Sequence, residues 1–155
     1  MRLRSILMKP FEITSCTGLL YPPEKVYQVL ADSSAFSAWW PESLQCRVSG
    51  GPESEIIQFQ MGMLDFIGRI KLASPSEEIV WEFTEGNVLG VGRWLFQPGD
   101  MGTQLQFMVT ADIVGPFARM YASLCQYPVR FRFRWRKVIE ALNNETERRI
   151  LFGEL

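Results

Sequence analysis

Histidine is absent from the 155 residues of this chain. That removes Ser-His-Asp and Cys-His catalysis and every metal site built on imidazole. Cysteine is scarce. Cys16, Cys46 and Cys125 lie far apart, form no CxxC, and as an odd count cannot close a disulfide framework. The expectation is reduced, mostly buried thiols in a cytosolic protein. No excess of either charge is present: 16 Lys and Arg face 17 Asp and Glu, a formal net charge of −1. A nucleic-acid binder would normally carry a clear basic surplus. Long apolar runs are missing too, because Gly, Pro and polar residues break them before membrane-spanning length. The N-terminus starts basic. Its apolar part, Ile6 to Met8, is too short for a signal-peptide core and ends at Lys9 and Pro10. A cytoplasmic location, or the inner face of a membrane, is expected.

What is present fits one domain over residues 1–155, with its core at about 11–148. Apolar residues make up 47% and charged residues 21%, enough for a substantial core and against disorder.

Phe11 to Leu20 has the period of a strand, with Phe11, Ile13, Ser15, Thr17 and Leu19 on one face. Pro22 and Pro23 then open a short helix carrying Val26, Val29 and Leu30. Asp32-Ser33-Ser34 breaks it and caps a second short helix with Phe36, Trp39 and Trp40 along one side, ended by Pro41. From Ser43 the period becomes two. Strands are expected at Leu44–Val48, Glu55–Met61, Leu64–Ala73, Glu78–Glu85, Val88–Gln97 and Thr103–Ile113, joined by short Gly-, Pro- and Asn-containing turns. That is an antiparallel meander.

Gly115-Pro116 opens a long helical stripe through Phe117, Tyr121, Leu124, Phe131, Trp135, Val138 and Leu142. The stripe keeps its phase across Pro128, which predicts one helix kinked there. A straight helix to Arg148 would be about 50 Å long, more than the roughly 40 Å width of a globule this size. Val129 to Trp135 also alternates strictly, a competing strand signal.

This order of elements resembles the helix-grip fold of the START and birch-pollen-allergen-like superfamily (SRPBCC). Tyr21-Pro22-Pro23 running through Val26, Val29 and Leu30 to Asp32 looks like the superfamily's opening helix. Phe36-Ser37-Ala38-Trp39-Trp40-Pro41 looks like its second one. Trp94-Leu95-Phe96-Gln97-Pro98 before Gly102-Thr103 is similar to its strand–Pro–Gly-Thr hairpin. The resemblance implies an α+β fold, with a seven-stranded antiparallel sheet wrapped around a long C-terminal helix and two short helices between strands 1 and 2. It also implies a hydrophobic cavity between sheet and helix. Its members include polyketide cyclases, lipid carriers and co-chaperone domains, so fold does not settle activity.

The period of two turns Ile57, Phe59, Met61, Phe66, Ile70, Leu72, Ile79, Trp81, Phe83, Trp94, Phe96, Leu105, Phe107, Val109 and Ala111 inward. Of this face Phe59, Phe66, Trp81, Phe83, Trp94, Phe107 and Val109, with Phe36 and Trp39 and with Phe117, Tyr121 and Leu124 opposite, are the expected cavity lining. The alternative is that they fill a core. Ser15 and Thr17 share the inward parity and are the polar groups that could orient a ligand. Glu85 and Tyr121 are the weak acid–base candidates, although Glu85 beside Gly86-Asn87 also suits a solvated turn. Gly90-Val91-Gly92 lacks the rest of a dinucleotide motif and fits a strand bend.

The expected function is binding of a hydrophobic small molecule, such as a lipid, polyketide, isoprenoid or aromatic metabolite, without metal or organic cofactor. The alternatives are a cyclase/dehydratase-like enzyme and a protein-interaction domain. The missing histidine, and the want of a convincing acid–base pair, weigh against the enzyme. Arg130, Arg132, Arg134, Arg136 and Lys137 form a cationic run without an acid. Val129 and Phe133 fall almost opposite the helix's core stripe. Such a face fits a second subunit or an anionic membrane, or simply cations lying over apolar neighbours.

Overall fold

A computed structural model describes residues 11–42, 44–50, 55–124 and 127–155, with the side chains of all of these except 121–124 and 127–131. The elements run β1 (Phe11–Leu19), α1 (Pro23–Ala31), a 3-10 turn (Ser33–Ala35) and α2 (Phe36–Trp39). There follow β2 (Gln45–Ser49), β3 (Ile56–Met61), β4 (Leu64–Ser74), β5 (Glu78–Gly86), β6 (Val88–Pro98) and β7 (Thr103–Ile113), then α3 (Pro116–Leu124) and α4 (Tyr127–Leu151). The strand limits differ from those expected by a residue at most. The seven strands form one antiparallel sheet in the order β1-β7-β6-β5-β4-β3-β2. The long helix packs on its apolar face, as in a helix-grip fold. Among the described residues, no helix is long and apolar enough to cross a membrane.

Local chemistry explains these elements. Pro22 caps α1 in an extended conformation, and its carbonyl accepts from the amides of Lys25 and Val26. Pro23 fills the first helical position, where a missing N–H costs nothing. Val26, Val29 and Leu30 are buried. Phe36 and Trp40 then plug the end of the sheet core, their rings 4.8 Å apart.

The C-terminal stretch is helical on both sides of 125–126, as α3 and α4. The expected kink of a single helix near Pro128 adjoins 125–126, which lie outside the described residues. Val129 to Trp135 is helical, so the alternating pattern there does not make a strand. Trp135, Val138, Ile139 and Leu142 are buried against the sheet.

Two features of the β4–β5 hairpin overturn simple alternation. The ladder pairs Ile67 with Glu85 and Gly68 with Phe83, leaving Thr84 as an extra residue. It later pairs Ile70 with Trp81 and Leu72 with Val80, leaving Lys71 extra. Such bulges turn the following side chains to the other face. Leu72, expected inside, is therefore 49% exposed.

Gly90 and Gly92 occupy a tight part of the sheet rather than a phosphate loop. A Cβ at Gly90 would collide with the Thr110 carbonyl oxygen and the Ala111 Cα, and one at Gly92 would lie 3.3 Å from the Phe107 ring. Asn87 ties the sheet's far end together. Its Oδ1 accepts from the Asp65 amide at 3.0 Å and its Nδ2 donates to the Val114 carbonyl at 3.2 Å, just before α3.

Candidate functional site

The concave face is a continuous aromatic surface. Trp81, from β5, lies at its centre and is 1% exposed. Its ring is 5.4 Å from Phe59, 5.5 Å from Trp94 and 6.4 Å from Trp135. The sheet meets the helix most closely where Phe107 stacks on Trp135, 4.4 Å between centroids. Phe36, Phe59, Phe66, Phe83, Trp94, Phe107 and Val109 are buried on this face as expected, and Trp39 is half-buried beside Phe36. Between these rings a void of about 20 Å³ remains, lined by Phe11, Phe59, Phe66, Trp81, Phe83, Phe107 and Trp135 among others. The indole N–H groups of Trp39, Trp40, Trp81 and Trp94 are buried and meet no acceptor among the described residues, an uncommon state for a buried donor.

Four of the expected site residues lie elsewhere. Phe117, placed opposite the aromatic face by its stripe, is 76% exposed on α3. Glu85 follows the bulge at Thr84 and so joins the outward row, exposed to solvent rather than lying among the aromatics. Ser15 and Thr17 do point towards the helix but line a different cleft. The side chains of Tyr121 and Leu124 lie outside the described residues. Trp135 was missing from the expected lining, although it stood on the helix stripe. Proximity to Phe107 could not be read from spacing along one helix.

That second cleft lies between β1 and α4 and has a volume of about 820 Å³. Thr14 to Leu20 form one wall, and Arg132, Arg136, Ile139, Glu140, Asn143 and Asn144 form the other. The Leu20 amide donates to Asn143 Oδ1 at 3.3 Å and closes one end. On the helix's outer side Phe133 is 60% exposed, and the Lys137 ammonium lies 5.3 Å from its ring centre. Arg132 and Arg136 are exposed, and Arg134 is half-buried with an Nη1 that meets no acceptor among the described residues. The side chains of Val129 and Arg130 lie outside the described residues.

Shifted ionisation occurs away from the aromatic face. Hydrogen bonds from Lys71 and Arg69 hold the Glu82 carboxyl below the usual range on the sheet's outer side. Arg148 and, less strongly, Arg149 do the same for Glu145 near the end of α4, against the opposing effect of burial. Burial pushes the Cys46 thiol up to about 12. Cys16 is exposed on β1, contrary to the expectation of buried thiols, because it lies on the outward parity.

The fold is that of a known class. Residues 21–126 match the family described as polyketide cyclase/dehydrase and lipid transport, and the chain belongs to that family. No curated protein matches it. Among solved structures it is similar to a protein from Chromobacterium violaceum, at 20% identity and a TM-score of 0.65, over 89% of this chain and 99% of that one. It is also similar to the Zhui aromatase/cyclase from Streptomyces sp. R1128, at 19% identity and a TM-score of 0.64, over 92% and 96% of the two chains. A third is the di-domain aromatase/cyclase StfQ of the steffimycin biosynthetic pathway, at 12% identity and a TM-score of 0.67, over 95% of this chain and 54% of that one. At these identities the likeness is one of fold.

Proposed function

We propose that the chain binds a hydrophobic small molecule, of the lipid, polyketide, isoprenoid or aromatic kind, between the concave sheet and the helical layer. The observation that carries this reading is the buried aromatic face centred on Trp81, in a family of polyketide cyclases and lipid-transport proteins. The void of about 20 Å³ is far smaller than a ligand, since ligand pockets start near roughly 300 Å³. Binding therefore has to widen the gap between Phe107 and Trp135, replacing ring–ring contacts by ring–ligand contacts. A ligand with carbonyl or ether oxygens would also offer acceptors to indole N–H groups that have none. Binding is the better supported role over catalysis, because Glu85 is solvated away from the aromatic face. In the same reading, the outer face around Phe133 and Lys137 serves contact with an anionic membrane or a second subunit.

The test is titration with a naphthalene sulfonate probe, followed by tryptophan quenching. Binding at about micromolar strength is expected, with weaker binding in Trp81→Ala and Phe107→Ala. If both variants lose stability but bind the probe unchanged, the aromatics are core filling and the reading fails.

A further inference from the structure

The cleft between β1 and α4 shares no lining residue with the aromatic void. We propose that it receives an extended peptide segment bearing acidic side chains, which adds to the sheet as a further strand alongside β1.

Among the described residues β1 is an edge of the sheet and pairs only with β7. In an antiparallel edge strand, alternate residues leave their N–H and C=O groups on the open side. Proteins usually blunt such an edge with charge, proline or shortness. At nine residues β1 is long, it has no proline, and its one charged residue, Glu12, lies outside the cleft. The opposite edge, β2, has five residues and includes Arg47. The cleft follows β1 from Thr14 to Leu19 and continues to Leu20. Among the described residues it is a cavity along an unpaired backbone.

Its dimensions suit an extended chain. The bond from Leu20 to Asn143 fixes one end, so strand and helix run side by side in the same direction. Thr14 to Leu20 spans about 20 Å, and Arg132 to Asn144 about 18 Å. The ends differ in charge. Arg132 and Arg136, one helical turn apart, stand at the Thr14 end, and Glu140 with Asn143 and Asn144 at the Leu20 end. Among the described residues neither Arg132 nor Arg136 has an ion pair, whereas Arg148 and Arg149 farther along the helix are both paired. Among the described residues the hydroxyls of Ser15 and Thr17 make no side-chain hydrogen bond, and they face the same space. Two unneutralised guanidinium groups select acidic side chains at one end, and Glu140 disfavours them at the other.

A second copy paired antiparallel through β1 would set each Arg132–Arg136 end against the other copy's Glu140 end, so self-association through this edge in place of peptide binding would overturn the proposal. A compact anion would engage the arginine end and leave the edge at Gly18 to Leu20 unpaired.

The experiment uses a fluorescein-labelled peptide of about eight residues, Glu alternating with Val in one half and Thr with Val in the other, long enough to span the strand, and the same peptide with Lys in place of Glu as its control. The Glu peptide should bind and the Lys peptide should not. Binding should slow amide exchange at alternate residues of β1, the signature of a new ladder. Arg132→Glu with Arg136→Glu should weaken binding by about tenfold or more. Both arginines are exposed, so this variant should keep its thermal midpoint and its naphthalene-probe binding. Equal binding of the Lys peptide, unchanged affinity in the double variant, or no protection along β1 would each overturn the proposal. So would binding of dodecyl phosphate in this cleft with no binding of the peptide.

Discussion

Arg149 joins Asp32 across 117 residues of sequence, with Nη1 and Oδ2 3.1 Å apart. The same guanidinium donates through Nε to Glu145 at 3.2 Å. The end of α4 is thereby fastened to the end of α1, beside the 3-10 turn. Glu145 and Arg149 are almost fully buried, but Asp32 is 41% exposed at its side chain. The two partners should therefore respond unequally. Arg149→Ala leaves a buried carboxylate short of a donor and should cost about 2–4 kcal/mol. Asp32→Asn removes a partly solvated charge and should cost under about 1 kcal/mol. Urea melts of both variants check this. Equal losses would mean that Asp32 matters more than its exposure suggests.

Glu145 also predicts the acid limb of stability. Its carboxyl is held below the usual range, first by the Arg148 hydrogen bond. A folded-state value lower than the unfolded one gives stability that is complete above the unfolded pKa and lost as pH falls through the folded pKa. The loss should begin below about pH 4. Glu145→Gln should flatten the stability–pH curve there and leave its slope near neutrality alone. An unchanged acid limb would exclude this carboxylate as its source.

The thiols should separate by reactivity. Cys46, pushed up to about 12 by burial, stays protonated at neutral pH. Cys16 is exposed and accepts a contact from Gln104 Nε2 at 2.6 Å. Iodoacetamide treatment followed by peptide mass mapping should label Cys16 first and spare Cys46 in the folded protein. Early labelling of Cys46 would mean that the β2 edge opens readily.

Phe133→Ser should leave the thermal midpoint nearly unchanged, because the ring is exposed and touches the Lys137 ammonium. Co-sedimentation with vesicles containing phosphatidylserine should fall, or the self-association seen by sedimentation velocity should fall. A large drop in the midpoint would place the ring in a buried contact. Unchanged binding in both assays would remove Phe133 from any docking face.

Most of the architecture was legible because one physical rule governs it. A sheet with one wet face repeats at a period of two, and the turns carry residues chosen for their dihedral freedom. Thus Phe59, Trp81, Trp94 and Phe107 fall where alternation puts them. Alternation fails where the count of residues between partners changes. Glu85 and Leu72 were both assigned inward, and each lies just beyond a bulge. A bulge depends on which residue pairs across the hairpin, and no single strand records that. Phe117 failed for another reason. Its helical stripe extends backward in phase from Trp135, whereas in α3 it is Ala118 that is buried and Phe117 that is exposed, so the phase set at Trp135 does not hold there. Cavity volume was the least legible property, since it depends on how closely rings from distant segments settle.

The two extra residues in the β4–β5 hairpin lie on opposite strands, Lys71 on one and Thr84 on the other. Each shifts the frame by one step, and the shifts cancel. The ladder at Ser74–Glu78 therefore returns to the frame it has at Phe66–Gly86, while only Gly68 to Ile70 and Trp81 to Phe83 sit out of step. That displaced stretch contains Trp81. An indel in this hairpin is consequently not a local event. Removing either extra residue alone obliges everything between it and the turn, or between it and the sheet's end, to exchange wet and dry sides. Length variation here should be tolerated only as a matched pair of changes, one on each strand.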